Sequence, residues 1–263
     1  MAETGIKPGL MQYLFNNHIG NIIMSLLSID TNAKTSKNTQ FGYLTGILYL
    51  APADLSGVNY CPMAELAGCK EACLNTAGRG VFNNVQEARL NRSKLFNTDK
   101  NAFMRQLVDE IGALSRKAKK LGIKAAVRLN GTSDIQWEKI KFKWFNKDQT
   151  IFDIFPNVQF YDYTKIPNRS NLPNNYDLTF SYSGATGFDK YNQRAINNGV
   201  RIAAVFDKPE NIPVTFHKRK VFDGDKHDLT FLNPKNAVLG LYAKGKARKD
   251  TSGFVIQGGL NHV

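Results

Sequence analysis

The chain is poor in the residues that build most catalytic and metal sites. Its 263 residues include three cysteines, four histidines and two tryptophans. The histidines (His18, His217, His227 and His262) are scattered and form no local pair with one another or with the cysteines. No Ser-His-Asp order and no G-x-S-x-G elbow is present, so the common serine-hydrolase arrangements are excluded. Lys244-Gly245-Lys246 resembles a phosphate loop only superficially, because the G-x4-G-K-[ST] pattern is missing. Long apolar runs are also lacking. The longest, residues 21–27 and 47–51, are far too short to span a bilayer. The start of the chain shows no basic stretch leading into an apolar one with a small-residue cleavage site, so no secretion signal is expected. An odd cysteine count without such a signal fits a reducing cytoplasm. Acidic residues are outnumbered, 22 against 35 lysines and arginines, for a formal net charge of +13. That surplus points to an anionic small molecule or nucleic acid as partner; the alternative is a surface kept soluble by widely spread lysines.

Apolar and charged fractions are ordinary for a folded protein, and the length suits one large α/β domain. Residues 1–40 read as an irregular N-terminal extension, with a short helix or two over 10–27 and a polar loop at 32–38. Residues 41–263 read as a single domain. Short β-rich apolar segments at 43–52, 123–129, 158–163, 176–183, 200–206 and 237–243 predict buried strands. Brief extra strands are expected at 220–222 and 229–232. Helical spacing marks 84–121, broken near Asn97-Thr98-Asp99, with Phe103, Leu107, Ile111, Leu114 and Ala118 on one face and Gly122 as the stop. Residues 137–152 and 188–197 are expected to be helical as well. Strands alternating with helices imply parallel strands buried on both faces. Polar residues follow the ends of several different strands, which favours a complete or partial parallel (β/α) barrel, TIM-barrel-like, over an open doubly wound sheet.

All three cysteines lie within thirteen residues, Cys61, Cys69 and Cys73, spaced C-x7-C-x3-C. Soft thiolates select zinc or iron with sulfide. The paired C-x2-C knuckles of a zinc ribbon are absent. Three cysteines on one loop suit a [4Fe–4S] cluster whose fourth iron stays open to a ligand. Zinc with a distant fourth ligand, or three thiols packed as small apolar residues, are the alternatives. The loop follows the first confident strand, which places it at the C-terminal rim of a barrel.

Other rim candidates are Arg79, between Gly78 and Gly80, and Arg128, Asn130 and Asp134, which leave one strand together. Asp134 and its neighbours could equally cap the next helix. In the stretch 161–165, Tyr161 and Tyr163 should face away from Asp162, and Lys165 is long enough to meet an anion or act as a base. Ser181 and Lys244 end later strands. Asp223, Asp225 and Asp228 form a D-G-D-x-x-D group able to hold magnesium or calcium, as in a metal-dependent nuclease, or simply to make a hydrophilic turn.

Taken together, Cys61-Pro62, Cys69, Cys73 to Gly78-Arg79-Gly80, Arg128 to Ile135, Phe160 to Lys165, Leu178 to Ser181, Asp223-Gly224-Asp225 and Gly240 to Gly245 resemble the bacteriophage gene product eighty-eight family over about residues 30 to 255. The resemblance implies a phage origin, hence the host cytoplasm, and no particular chemistry. The order strand, three-cysteine loop, helix, strand is also similar to that of radical S-adenosylmethionine enzymes. This likeness implies a [4Fe–4S] cluster chelating S-adenosylmethionine. The spacing departs from that superfamily's C-x3-C-x2-C, and its glycine-rich segment is replaced at best by Asn130 to Asp134. The expectation is therefore an iron–sulfur protein. Cys61, Cys69 and Cys73 are the ligands, Lys165 and Asp162 the candidate catalytic groups, and Arg79, Arg128, Asn130, Ser181 and Lys244 the groups that meet an anionic ligand. The alternative is a nucleic-acid-binding phage protein with a structural zinc.

Overall fold

The structure is a computed structural model that describes residues 24–29 and 35–258. The loop expected at 32–38 is described only from residue 35; the helical expectation for residues 10–27 lies outside the described residues up to residue 23, and residues 24–27 are not helical, Leu27 opening a strand. Eleven strands are present among the described residues: β1 (Leu27–Ile29), β2 (Tyr43–Leu48), β3 (Lys124–Arg128), β4 (Phe142–Trp144), β5 (Lys147–Gln149), β6 (Gln159–Thr164), β7 (Tyr176–Ser181), β8 (Ile202–Phe206), β9 (Thr215–Phe216), β10 (Arg219–Asp223) and β11 (Val238–Tyr242). Nine of them form one sheet in the order β1-β2-β3-β6-β7-β8-β11-β10-β9. All neighbours from β2 to β10 pair in parallel, and the end strands β1 and β9 pair antiparallel.

From β2 to β8 the parallel strands follow chain order across the sheet; the direction reverses only at the far end, where β10 stands beyond β11 and the chain steps back to it. An open doubly wound sheet reverses near its middle, and its ligand crevice sits there. Winding in one direction sends successive crossovers over the same face. The helices α1 (Asn83–Thr98) and α2 (Lys100–Lys120) lie between β2 and β3, α3 (Ile151–Ile154) between β3 and β6, and α4 (Asp189–Asn197) between β7 and β8. Among the described residues the pairings run from β1 to β9, and none joins these two strands.

Strand alternation sorts the side chains onto two faces. On one, Leu44, Leu48, Val127 and Phe160 pack with Phe103, Leu107, Ile111 and Leu114 of α2. Further along the same face, Phe180, Ile202, Ala204 and Phe206 meet Phe188 and Ala195. The opposite face carries Tyr43, Ala126 and Tyr161, covered by Phe41, Leu229 and Phe231 from two short 3-10 segments. The α1–α2 break falls where expected. Asp99 caps α2, its carboxylate accepting the Ala102 N–H at 2.8 Å. Gly122, at φ +69°, follows the end of the helix.

Two expectations are corrected. Residues 137–152 are not one helix. They form a 3-10 turn (Trp137–Lys139), the β4–β5 hairpin and the short α3, whose start is fixed by a Thr150/Asp153 capping box. Residues 141–144 alternate exposed and covered, the period of a strand. Residues 230–232 are a 3-10 turn and not a strand. Residues 1–40, expected to be irregular, contribute β1 and the start of the 3-10 segment Thr35–Phe41.

The fully buried Ile111 sits at the centre of the α2 contact. Ile111→Ala is expected to lower unfolding free energy by about 2–5 kcal/mol in urea denaturation. The exposed Lys119→Ala on the same helix should change it by less than about 0.5 kcal/mol.

Candidate functional site

The C-terminal ends of β3, β6 and β7 are joined by buried polar groups. Asn130 donates its backbone N–H to Asp162 at 2.7 Å and its side-chain amide to the same carboxylate at 3.3 Å. Its side-chain carbonyl accepts from the Ser133 hydroxyl, the Ile135 N–H and the Trp137 indole at 2.8, 2.9 and 3.1 Å. The 130–137 turn is therefore built around one amide, which corrects the reading of this segment as a helix cap. Gly131 is needed there because a Cβ would lie 2.7 Å from the Leu48 carbonyl oxygen.

Asp134 makes the next connection. Its N–H donates to the Tyr60 carbonyl at 2.8 Å, and its carboxylate accepts the Lys165 backbone N–H at 2.7 Å. Arg169 lies 3.7 Å from that carboxylate and also pairs with Glu138. One buried residue thus ties the entry of the cysteine loop to the ends of two strands. Burial pushes the Asp134 carboxyl above its usual range, against the Lys165 N–H and the Arg169 charge.

Lys165 is buried, and its ammonium donates to the carbonyls of Ser181 and Tyr182 at 2.9 and 3.1 Å. It lies 4.5 Å from the centre of the Phe254 ring and 5.5 Å from that of Phe188. Burial lowers its pKa to about 8, against the opposing pull of Cys69 and Asp134.

The cysteines sit on a loop of successive turns. Cys61 places its Sγ 3.6 Å from the Thr132 carbonyl oxygen. Cys69 packs against both Ala67 and Phe188 on one side and Ala72, Ala243 and Phe254 on the other. Gly68 makes the turn before it at φ +66°, and its carbonyl accepts the Ser252 hydroxyl at 2.8 Å. Cys73 accepts the Asn75 N–H at 3.4 Å and faces the Arg89 charge. All three thiols are free and partly buried. Burial raises all of them, Cys61 to about 12, and each is coupled electrostatically to at least one of the others. The donor chemistry suits a thiophilic centre: three unpaired thiols on one rim, with Lys165 beside Cys69 and Arg89 beside Cys73 to balance thiolate charge. Among the described residues, however, no three His, Cys, Asp or Glu side chains stand close enough to hold a metal ion in this arrangement.

The remaining candidates divide. Asp162 is wholly buried, accepts from Asn130 and from the Tyr176 hydroxyl at 2.8 Å, and is raised to about 7 by burial. Ser181 contributes its carbonyl to Lys165. Lys244 pairs with Asp225 and follows Ala243, which packs beside Cys69. Arg128 is on the opposite face of the sheet, 3.3 Å from Asp228 and stacked over Tyr163. Arg79 is exposed on the 3-10 segment Gly78–Val81. The aspartates of the D-G-D-x-x-D group do not share a task. Asp223 accepts the Asp225 N–H, Asp225 pairs with Lys244, and Asp228 pairs with Arg128 and Tyr161. Sequence reading missed Arg89, Glu138, Arg169 and Tyr176, which lie in segments without a motif and come together only through the fold.

The sequence pattern of the gene product 88 family matches residues 25–258, and the chain belongs to that family of bacteriophage proteins. No curated protein and no solved structure matches it, so the likeness to radical S-adenosylmethionine enzymes gains no support from relatives. No helix among the described residues is long and apolar enough to cross a membrane.

Asp162 sets a pH dependence. Its folded-state pKa lies above the ordinary aspartate value, so the native state holds this proton more tightly than the unfolded chain. The associated stabilisation is complete below about pH 4 and is lost as pH rises toward about 7. Unfolding midpoints measured across that window should decline for the native sequence relative to Asp162→Asn, in which this component is absent.

Proposed function

We propose that this gene product 88 family member is an iron–sulfur protein in which Cys61, Cys69 and Cys73 ligate a [4Fe–4S] cluster at the sheet rim. The observation that supports this most directly is that the chain's three thiols are unpaired and lie on one loop, with the buried Lys165 acting on Cys69 and Arg89 acting on Cys73. Such a cluster, held by three cysteines, would supply an open iron able to take a ligand oxygen or nitrogen, or an electron. The chain's own residues do the rest. Lys165 and Arg89 balance thiolate charge. Phe188 and Phe254 cover the Lys165 ammonium and limit water. Asp134 and Asp162 hold the strand ends in register through Lys165, Asn130 and Tyr176. Lys165, titrating near pH 8, is the group on this rim best suited to hold or release a proton. An anionic ligand would meet the same two cations, and S-adenosylmethionine is one candidate. We read the sheet, wound in one direction from β2 to β8, as an incomplete barrel whose C-terminal rim carries this site.

A second reading rests on the +13 net charge: a nucleic-acid-binding protein whose thiols hold zinc. Metal analysis separates the two. Anaerobic reconstitution with ferrous iron and sulfide should give about four of each per chain and a broad absorption at about 400 nm. Each of Cys61→Ser, Cys69→Ser and Cys73→Ser should lose it. A colourless protein that takes up no iron refutes the cluster, and stoichiometric zinc in its place supports the second reading.

A further inference from the structure

The β4–β5 hairpin is placed for contact with something other than the rest of this chain. Its register pairs Phe142 with Gln149, Lys143 with Asp148 and Trp144 with Lys147, leaving Phe145 and Asn146 as a two-residue turn. Both turn residues have positive φ, 45° and 63°. Turns of this kind favour asparagine, aspartate and glycine, and a phenylalanine there is disfavoured. Phe145 is nonetheless at the tip with 86 % of its surface exposed, more than any other large apolar side chain among the described residues. Neither backbone preference nor burial accounts for an aromatic ring at that position. The base of the hairpin, in contrast, is anchored. Phe142 is buried in the main core, Trp144 packs against it, and the Trp144 and Phe145 rings meet edge to face at 5.2 Å.

Lysines outnumber acids in and beside the hairpin. Lys139, Lys141, Lys143 and Lys147 are all exposed. Of the nearby acids, Glu138 is engaged by Arg169, Asp153 caps α3 while also attracting Lys141, and Asp148 pairs with Lys143, which leaves Lys139 and Lys147 without an acidic partner among these. A flat exposed ring at the tip of a hairpin with lysines on and before its strands matches a chain of phosphates bearing unpaired bases. The ring offers a stacking platform that any base can use, and the lysines track the backbone.

We propose that the β4–β5 hairpin binds single-stranded nucleic acid, with Phe145 stacking on a base and Lys139, Lys141, Lys143 and Lys147 meeting phosphates. This site is separate from the cysteine rim, and its test does not depend on any metal. Fluorescence anisotropy of a labelled mixed-sequence single-stranded DNA of about twenty nucleotides is the measurement. Phe145→Asn, which suits the turn, should weaken binding about tenfold while leaving the melting temperature unchanged or raised. Lys141→Gln should weaken binding and reduce its salt dependence. Lys119→Ala, at an exposed lysine of α2 outside both sites, should bind nearly like the native protein. Undetectable binding at low salt, unchanged binding by Phe145→Asn, equal affinity for duplex DNA, or Phe145-dependent binding to phosphatidylserine vesicles in place of the oligonucleotide would each overturn the assignment.

Discussion

The arrangement of the rim depends on one buried carboxylate. Asp134 holds the Lys165 backbone with its side chain and the residue before Cys61 with its own N–H. The carboxylate works beside the Asn130–Asp162 bonds that join the same strand ends, while the bond to Tyr60 is made by the backbone. The cost of burying the charge is visible in its raised pKa, and is offset by the Lys165 N–H, Thr164 and the Arg169 guanidinium. Arg169 is in turn held by Glu138 and Tyr176, and Tyr176 by Asp162. Removing one member leaves others buried without partners, which costs far more than the net value of any single pair.

How much of this was legible in the sequence follows from the range of the interactions. Strands β2, β3, β6, β7, β8 and β11 announce themselves because β-rich apolar segments bounded by turn residues are local signals. Helix α2 does so because Phe103, Leu107, Ile111 and Leu114 recur at helical spacing. The hairpin at 142–149 was hidden because Trp144, Phe145, Phe152 and Phe155 give an apolar density that a helix would share, and only the alternation within 141–144 distinguishes them. The cysteine spacing and the strand-end position of Lys165 are local features of the sequence, whereas the pairing of Lys165 with Cys69 comes only through the fold. Arg128 was misplaced in role. Its strand position is as expected, but alternation sends its side chain to the other face, where Asp228 arrives from a hundred residues away. The Arg169–Glu138–Asp134 group had no local signature at all.

The two faces of the sheet therefore carry different electrostatics. The face opposite the helices is closed by the Arg128–Asp228 pair and the Tyr161 hydroxyl, and reads as an internal brace. The rim concentrates thiols, a buried ammonium and a second buried cation with its Nε lacking a hydrogen-bond partner, at Arg89. Buried cations beside thiols make thiolate formation easier than burial alone would allow. The β4–β5 hairpin adds a third environment, anchored at its base, exposed at its tip and richer in lysines than in acids. Such a division suits a protein that holds a reactive centre in one place and a polyanion in another.

The most direct test of the rim account is the iron-57 Mössbauer spectrum of the anaerobically reconstituted protein. Three thiolates and one differing position should give a [4Fe–4S] spectrum in which one iron site differs from the others and changes when an anionic ligand is added. A spectrum of mononuclear iron, or of adventitious iron unaffected by Cys69→Ser, would contradict the proposal that Cys61, Cys69 and Cys73 hold one cluster.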